Sequence, residues 1–221
     1  MDMILGIFGA GSLGKELCDI ARRIQQREGR WETIVFVDEV TEQKEFYGAP
    51  VHRPQDYHGR WEEIEFVIAN GTPRSRHQIF DRLVAAGAQV TNLVDPTAIV
   101  SPTAKLGKGI IVTPYSTISS DVVLADDVLV QSYVRVGHDI QVGAHSVLSS
   151  NVGIGGGTNI GEDTYIALGA MVRDGLVVGS NTVVGMGAMV SRDIPDGVIA
   201  LGNPARVMRR NETGKIFDHK G

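Results

Sequence analysis

From Val94 onward, an aliphatic residue recurs at every sixth position of the chain. Seventeen consecutive positions of this series, ending at Val190, are all Ile, Leu or Val, and the residue four places after each is small or aliphatic. A strand alternates with a period of two and a helix with a period of about 3.6, so neither sustains a period of six alone. A triangular coil does, because each flat side takes one six-residue unit with its aliphatic side chain inward. The pattern predicts a parallel β-helix over residues 94–195, with 18 residues per coil.

Before this repeat, the pattern alternates between compact apolar runs and segments of helical spacing. Residues 1–93 are therefore predicted to form an α/β, Rossmann-like half domain with a parallel sheet. The predicted strands are Met3–Phe8, Glu32–Val37, Ile64–Ala69 and Gln89–Leu93, and the predicted helices are Leu13–Gln26 and Arg74–Ala86. Residues 196–221 are predicted to be a C-terminal turn and tail.

Composition narrows the function classes. The net charge of −5 is carried without any basic block, which disfavours nucleic acid and anionic membranes as partners. The one cysteine, Cys18, excludes an internal disulfide and is expected to be a buried thiol in the first helix. The short apolar N-terminus lacks the basic start of a signal peptide, and no apolar stretch is long enough to cross a bilayer. We expect a cytoplasmic protein.

A glycine motif follows the first predicted strand. Gly9, Gly11 and Gly14 have the spacing of a dinucleotide fingerprint, and Asp38 at the end of the second strand supplies the expected acidic residue. A full dinucleotide fold needs two halves, and fewer than 95 residues precede the repeat. The motif is therefore expected to hold one nucleotide through backbone N–H groups and the helix N-terminus. Asp38 could instead be an ordinary turn residue.

The chemistry of the repeat centres on His138. It is the third residue of its six-residue unit and is expected on the outer surface, with Asp139 beside it. Histidine suits general-base catalysis because its ordinary pKa is ~6.5, and a neighbouring carboxylate raises its basicity or fixes its tautomer. The 18-residue coil places Ser120 and Gly156 on either side of it. Glycines 155–157 would leave bare backbone beside the base, although glycine also serves corner geometry and His138 could be a solvated surface residue.

These features together resemble the NeuD-type nucleotide-sugar acetyltransferases. The resemblance rests on the half domain, the repeat, Gly137-His138-Asp139 and Leu201-Gly202-Asn203-Pro204-Ala205, and it covers nearly the whole chain. It implies a left-handed β-helix, acetyl-CoA as co-substrate, no metal, and a homotrimer with active sites between neighbouring subunits.

The resemblance also implies roles for individual residues. The catalytic group is His138 as base, Asp139 as its helper and Gly156 as oxyanion donor. Acetyl-CoA would be bound by Gly156, Leu168, Met186, Gly202, Asn203, Pro204 and Arg206, with Arg209 and Arg210 near its phosphates unless they lie in a solvated basic helix. The nucleotide sugar would be bound by Gly11, Ser12, Leu13, Asp38, Glu39, Gly71 and Arg76. Relatives carry histidines where this chain has Leu13 and Val147, which puts those contacts in doubt. His145 lies two residues from Val147 and is expected to be an exposed corner residue instead.

The activity expected from these residues is N-acetylation of a nucleotide-linked amino sugar. O-acetylation of a free sugar such as sialic acid is the alternative. A zinc hydrolyase on the same kind of β-helix needs three convergent histidines, and only His138 and His145 lie in the repeat. A non-catalytic scaffold would not need the His-Asp pair or the glycines beside it.

Overall fold

The N-terminal part of the molecule is a parallel sheet flanked by two helices. The computed structural model describes residues 3–212. The sheet has the strand order β3-β4-β2-β1-β5-β6, with β1 parallel to both β2 and β5. The elements are β1 Ile4–Phe8, α1 Ser12–Glu28, β2 Thr33–Val37, β3 Glu45–Phe46, β4 Ala49–His52, β5 Ile64–Ile68, α2 Pro73–Ala85 and β6 Gln89–Val90, with 3-10 turns at Pro54–Tyr57 and Trp61–Glu63. The predicted strand–helix alternation is confirmed.

Two details of this part differ from the prediction. The hairpin of β3 and β4 was not predicted; its strands are short, and its turn uses Tyr47 and Gly48 at φ of 50° and 71°. In α2, Val84 is exposed, whereas the buried helix face carries Arg76, Phe80 and Leu83. An arginine on a buried face breaks the apolar spacing from which such a face is predicted.

Residues 93–190 form a left-handed parallel β-helix of two-residue strands, as the period of six predicts. Each strand pairs with the strand 18 residues later, so that Val112 lies beside Val130 and Val130 beside Leu148. The first face contains β7 Leu93–Val94, β10 Ile111–Val112, β13 Leu129–Val130, β16 Val147–Leu148, β19 Tyr165–Ile166 and β22 Val183–Val184. The second face contains β8 Ile99–Val100, β11 Thr117–Ile118, β14 Arg135–Val136, β17 Gly153–Ile154, β20 Met171–Val172 and β23 Met189–Val190. The third face contains β9 Lys105–Leu106, β12 Val123–Leu124, β15 Gln141–Val142, β18 Asn159–Ile160 and β21 Val177–Val178.

The corners between faces explain why the strands are so short. Every sixth residue from 109 to 187 has a φ between 50° and 73°. This left-handed conformation turns the chain by one corner and suits glycine, asparagine and aspartate. The corner residues are Gly109, Tyr115, Asp121, Asp127, Tyr133, Asp139, His145, Asn151, Gly157, Asp163, Gly169, Gly175, Asn181 and Gly187. We call the corners by the faces they join: the 1–2, 2–3 and 3–1 corners.

The N-terminal part packs on the first face of the β-helix. Outward side chains of that face, including Leu129 and Val147, join Leu17 and Ile20 of α1 in one apolar cluster. The inward aliphatic residues form a separate core inside the coils. Docking on the first face leaves the second and third faces, and the 2–3 corner between them, free of the N-terminal part.

The C-terminal segment extends the first face. Strand β24 (Val198–Leu201) pairs in parallel with β22, and β25 (Arg206–Arg210) pairs antiparallel with β24. A basic helix at Arg206–Arg210, considered from the sequence, is therefore wrong. The segment is an exposed edge strand, so alternate side chains point to opposite sides.

Candidate active site

His138 and Asp139 form an exposed pair at the 2–3 corner. Nδ1 of His138 lies 2.8 Å from Oδ2 of Asp139, and 71% of the histidine side chain is exposed. Asp139 occupies the corner position itself, at a φ of 56° that aspartate tolerates. The carboxylate fixes the ring nitrogen it contacts as the protonated one, so Nε2 faces outward as the acceptor. Chemically, this arrangement can act as a general base.

The imidazole of His138 lies over Gly156, one coil further along. A Cβ built on Gly156 would sit 2.7 Å from both Cε1 and Nε2 of the ring, so any larger residue there would displace the imidazole. The Gly156 N–H donates no hydrogen bond to any residue from 3 to 212. The predicted catalytic residues His138, Asp139 and Gly156 therefore come together at one corner, with a free backbone donor beside the base.

A groove on the second face adjoins this corner. It encloses about 440 Å³ and is lined by Arg135, Gly153, Met171 and Arg173 among others, together with Gly137 and Gly155 next to the base. The Met171 sulfur occupies the space that a Gly153 side chain would need, so the glycine makes room for Met171 in the wall of the groove. Through Gly137 and Gly155, the groove reaches the corner that carries His138.

Apart from Gly156, the residues expected to bind acetyl-CoA lie elsewhere in the same copy. Leu168 and Met186 are exposed at the 1–2 corner, which the second face separates from His138. Gly202, Asn203 and Pro204 form the turn between β24 and β25, and Arg206 begins β25. Of the expected CoA-binding residues, one copy of the chain therefore brings only Gly156 to its own His138.

The glycine loop has the geometry that close nucleotide approach requires. Gly9 has a φ of 117°, and a Cβ there would lie 2.9 Å from the carbonyl oxygen of Ala69. Gly11 caps α1 without any side-chain hydrogen bond, and a Cβ on it would meet nothing within 4 Å. The first N–H groups of α1, at Ser12 and Leu13, thus stand at an open helix N-terminus, which favours an anionic ligand. Gly71, across the loop, is equally open.

Asp38 holds the glycine loop in place. Its carboxylate accepts hydrogen bonds from the N–H groups of Ala10, Val40 and Thr41, each at 2.8 Å. Partial burial alone would raise the pKa of Asp38, but these donors and the nearby Arg53 outweigh it and hold the pKa below its ordinary value. Its neighbour Glu39 makes a bidentate ion pair with Arg82, at 2.9 and 3.0 Å.

Arg76 does not lie at the surface of the glycine loop, so it does not make the contact with the nucleotide sugar that was expected for it. The side chain is fully buried between α2 and the β-helix, where it pairs with the carboxylate of Asp127. Its other donors reach the carbonyl oxygens of Ile68, at 2.7 Å, and Asn70, at 3.0 Å. All of these partners are protein atoms, so Arg76 ties the two parts of the chain together.

Three other positions, Val147, Leu13 and His145, also belong to the contact between the two parts. Val147 is buried under the N-terminal part on the first face, and Leu13 is half-buried against the same cluster. His145 was expected to be exposed, but it is buried, with its Nδ1 3.2 Å from Asp127. The corner column that carries His145 faces α2 directly, which a period of six alone does not reveal.

One group of three metal-ligating side chains occurs within residues 3–212: His77, Asp81 and His145. The two imidazoles stack with centroids 3.8 Å apart and planes 7° from parallel. A metal ion must lie close to the plane of each ring whose nitrogen it binds, at about 2.0–2.1 Å. Two parallel rings at this separation do not meet that requirement for one ion, so the group does not fit a zinc site.

Comparison with known proteins agrees with this fold. The PglD N-terminal domain family matches residues 5–83. The acetyltransferase domain of PglB from Neisseria gonorrhoeae is 33% identical, with a TM-score of 0.88 over 94% of this chain and 100% of that chain. The same domain is also known in complex with acetyl coenzyme A. PerB from Caulobacter crescentus, in complex with CoA and GDP-perosamine, is 29% identical, with a TM-score of 0.84 over 92% of this chain and 96% of that chain.

A curated relative is the GDP-perosamine N-acetyltransferase of Escherichia coli O157:H7, 30% identical over 114 residues. That alignment covers 51% of this chain and 52% of the relative, so the chain spans about half the length of the curated relative it matches. The fold and the His138 corner define the class of left-handed β-helix acyltransferases. Within that class, the chain belongs to the NeuD-type family of nucleotide-sugar acetyltransferases with a PglD-type N-terminal domain. The family expected from the sequence is thereby confirmed.

Proposed function

We propose that the protein transfers the acetyl group of acetyl-CoA to the amino group of a nucleotide-linked amino sugar. The observation that carries the proposal is the His138 imidazole, oriented by Asp139 and lying over the side-chain-free Gly156. The relatives support the acceptor class, because the Caulobacter protein is described in complex with GDP-perosamine.

In the proposed reaction, the amine nitrogen of the sugar attacks the thioester carbonyl carbon of acetyl-CoA. As it does so, Nε2 of His138 takes a proton from this nitrogen. The carbonyl oxygen becomes negatively charged and accepts a hydrogen bond from the free N–H of Gly156. Collapse of this tetrahedral intermediate breaks the carbon–sulfur bond, and the proton on His138 passes to the departing CoA thiolate. Asp139 stabilises the histidine while it carries the proton.

The nucleotide of the acceptor is proposed to lie at the glycine loop. There the open N-terminus of α1 at Gly11 and Ser12 would receive phosphate oxygens, and Gly71 leaves room across the loop. Asp38 supports this site by holding the loop, and Glu39 stays at its edge.

A complete site on this proposal requires more than one copy of the chain. His138 lies at the 2–3 corner, whereas Leu168, Met186 and the N-terminal part lie at the 1–2 corner and the first face. A homotrimer with each active site between neighbours unites the two sets. The structure has no helix within residues 3–212 that is long and apolar enough to span a membrane, and a cytoplasmic location remains part of the proposal.

The proposal is tested by thiol release from acetyl-CoA with UDP-, dTDP- and GDP-linked 4-amino sugars, and with free sialic acid as the competing acceptor. We expect N-acetylation of at least one nucleotide-linked sugar and a trimeric mass in light scattering. Acetylation of the free sugar alone would replace the proposal with O-acetylation. Thiol release from the His138→Ala variant at the wild-type rate would remove the catalytic assignment.

A further inference from the structure

Two tyrosines stand out among the corner residues of the β-helix. Tyr115 and Tyr133 have φ of 61° and 62°, whereas the other twelve corner positions from 109 to 187 are Gly, Asp, Asn or His. A left-handed conformation costs an ordinary L-residue about 1–2 kcal/mol, and bulky residues adopt it rarely. The turn itself does not need tyrosine, because Asn151 and Gly169 make the same turn one and two coils further along. These side chains therefore point to a role outside folding.

The two rings form one exposed aromatic surface. Their centroids are 5.3 Å apart with planes 22° from parallel, and the residues are 58% and 57% exposed. Neither hydroxyl makes a hydrogen bond to another residue in the described part of the chain. Because the rings stack on each other, each keeps one outer face open. Such an open aromatic face beside a free hydroxyl group suits a sugar ring, which has apolar C–H faces and hydroxyls at its rim.

The position of the pair along the β-helix indicates which substrate it meets. Tyr133 belongs to the same coil as His138, five residues earlier, but at the 1–2 corner. Leu168 and Met186 lie at that corner too, two and three coils further toward the C-terminus. With the co-substrate CoA along Leu168 and Met186, the acetyl group arrives from the C-terminal side. The acceptor then approaches from the N-terminal side, where the tyrosines lie.

We infer that the Tyr115–Tyr133 pair is the stacking platform for the sugar ring of the acceptor, and that it presents this ring to His138 of a neighbouring copy. The inference rests on the proposed function. The second face separates Tyr133 from His138 within one copy, so the two meet only across copies. The pair is a specificity-determining element of the same reaction: acceptors whose ring faces are blocked would be rejected there.

The experiment replaces the rings without straining the turn. Asparagine tolerates the left-handed conformation, so Tyr115→Asn and Tyr133→Asn, singly and together, are expected to keep or raise the Tm. The double variant is expected to raise the acceptor KM about tenfold, with the KM for acetyl-CoA within about twofold of wild type. The matched control is Val177→Asn, which removes an apolar side chain of 48% exposure from the third face.

Each outcome of these measurements supports or overturns the role inferred for the Tyr115–Tyr133 pair. An acceptor KM within twofold of wild type in an active, folded double variant overturns the inference while leaving the proposed function intact. A variant that loses its oligomeric mass in light scattering also overturns it, because the pair would then be a contact between copies. A rise in the acetyl-CoA KM instead of the acceptor KM would assign the pair to CoA and overturn it. Wild-type protein that acetylates no nucleotide-linked amino sugar would overturn the proposed function, and the inference with it.

Discussion

Replacing Gly156 with alanine tests whether the base acts from where the structure places it. The added Cβ would lie 2.7 Å from Cε1 and Nε2 of His138, whereas non-bonded carbon atoms in contact lie about 3.5–4.0 Å apart. The φ of Gly156 is not in the positive range that would strain an alanine, so its backbone accepts the substitution. The exposed imidazole must therefore move, by about 1 Å, judged from the same contact distances.

A displacement of this size has a large effect on rate and a small one on folding. Misplacing a reacting group by about 1 Å costs about 100-fold, so we expect kcat/KM to fall about 100-fold. Because no buried side chain is lost, the Tm should stay within a few degrees of wild type, about what a 1 kcal/mol change produces.

The assay is thiol release from acetyl-CoA at fixed acceptor, with thermal unfolding measured on the same samples. The matched control is Ser120→Ala, which lies at the same corner one coil before His138 and removes an atom instead of adding one. We expect the control to stay within about threefold of wild type, as surface substitutions away from special features usually do. A Gly156→Ala variant that is as active as the Ser120→Ala control would refute the placement of His138 over this glycine.

Three further predictions follow from the geometry. His138→Ala should lower kcat about 10²–10⁴-fold while calorimetry finds acetyl-CoA binding unchanged, and loss of binding would speak against a purely catalytic role. Arg76→Met removes the guanidinium from the buried Asp127 carboxylate, which keeps only its side-chain contact with His145, so it should cost about 3–5 kcal/mol in denaturant unfolding, and adding Asp127→Asn should recover part of it; a loss under about 1 kcal/mol would contradict this. The depressed pKa of Asp38 means that its stabilisation is present above the ordinary carboxyl pKa of about 3.9 and is lost as the pH falls through the folded-state value. The Tm difference between wild type and Asp38→Asn should therefore narrow below about pH 4, and a constant difference from pH 7 to pH 3 would exclude this cause.

The β-helix was predictable because its period leaves little freedom. One inward residue in six fixes the register of every strand, and the pairing of Val112 with Val130 then follows from arithmetic alone. The same arithmetic places Gly156 beside His138 before any coordinate is known. The β3–β4 hairpin was not predictable in this way, because strands of two to four residues carry too few alternating positions for a pattern to register.

The contacts between the N-terminal part and the β-helix could not be predicted from the sequence, for another reason. Arg76 and Asp127 are 51 residues apart and belong to elements of different period, so no spacing rule relates them. On a helix, a polar residue among apolar ones is normally solvated. A buried arginine becomes recognisable only when the opposite surface, with its carboxylate, is known.

The division of the candidate site between corners, by contrast, is already present in the residue numbers. Residues that differ by 18 share a corner, so His138 and Gly156 share one while Leu168 and Met186 share another. A resemblance to known enzymes collects all four into one site without regard to this arithmetic. The 18-residue spacing and the single site implied by the resemblance agree only if the 2–3 corner of one copy meets the 1–2 corner of another. On the proposed function, the repeat that places His138 at one corner therefore implies that this base serves substrates held by a different copy of the chain.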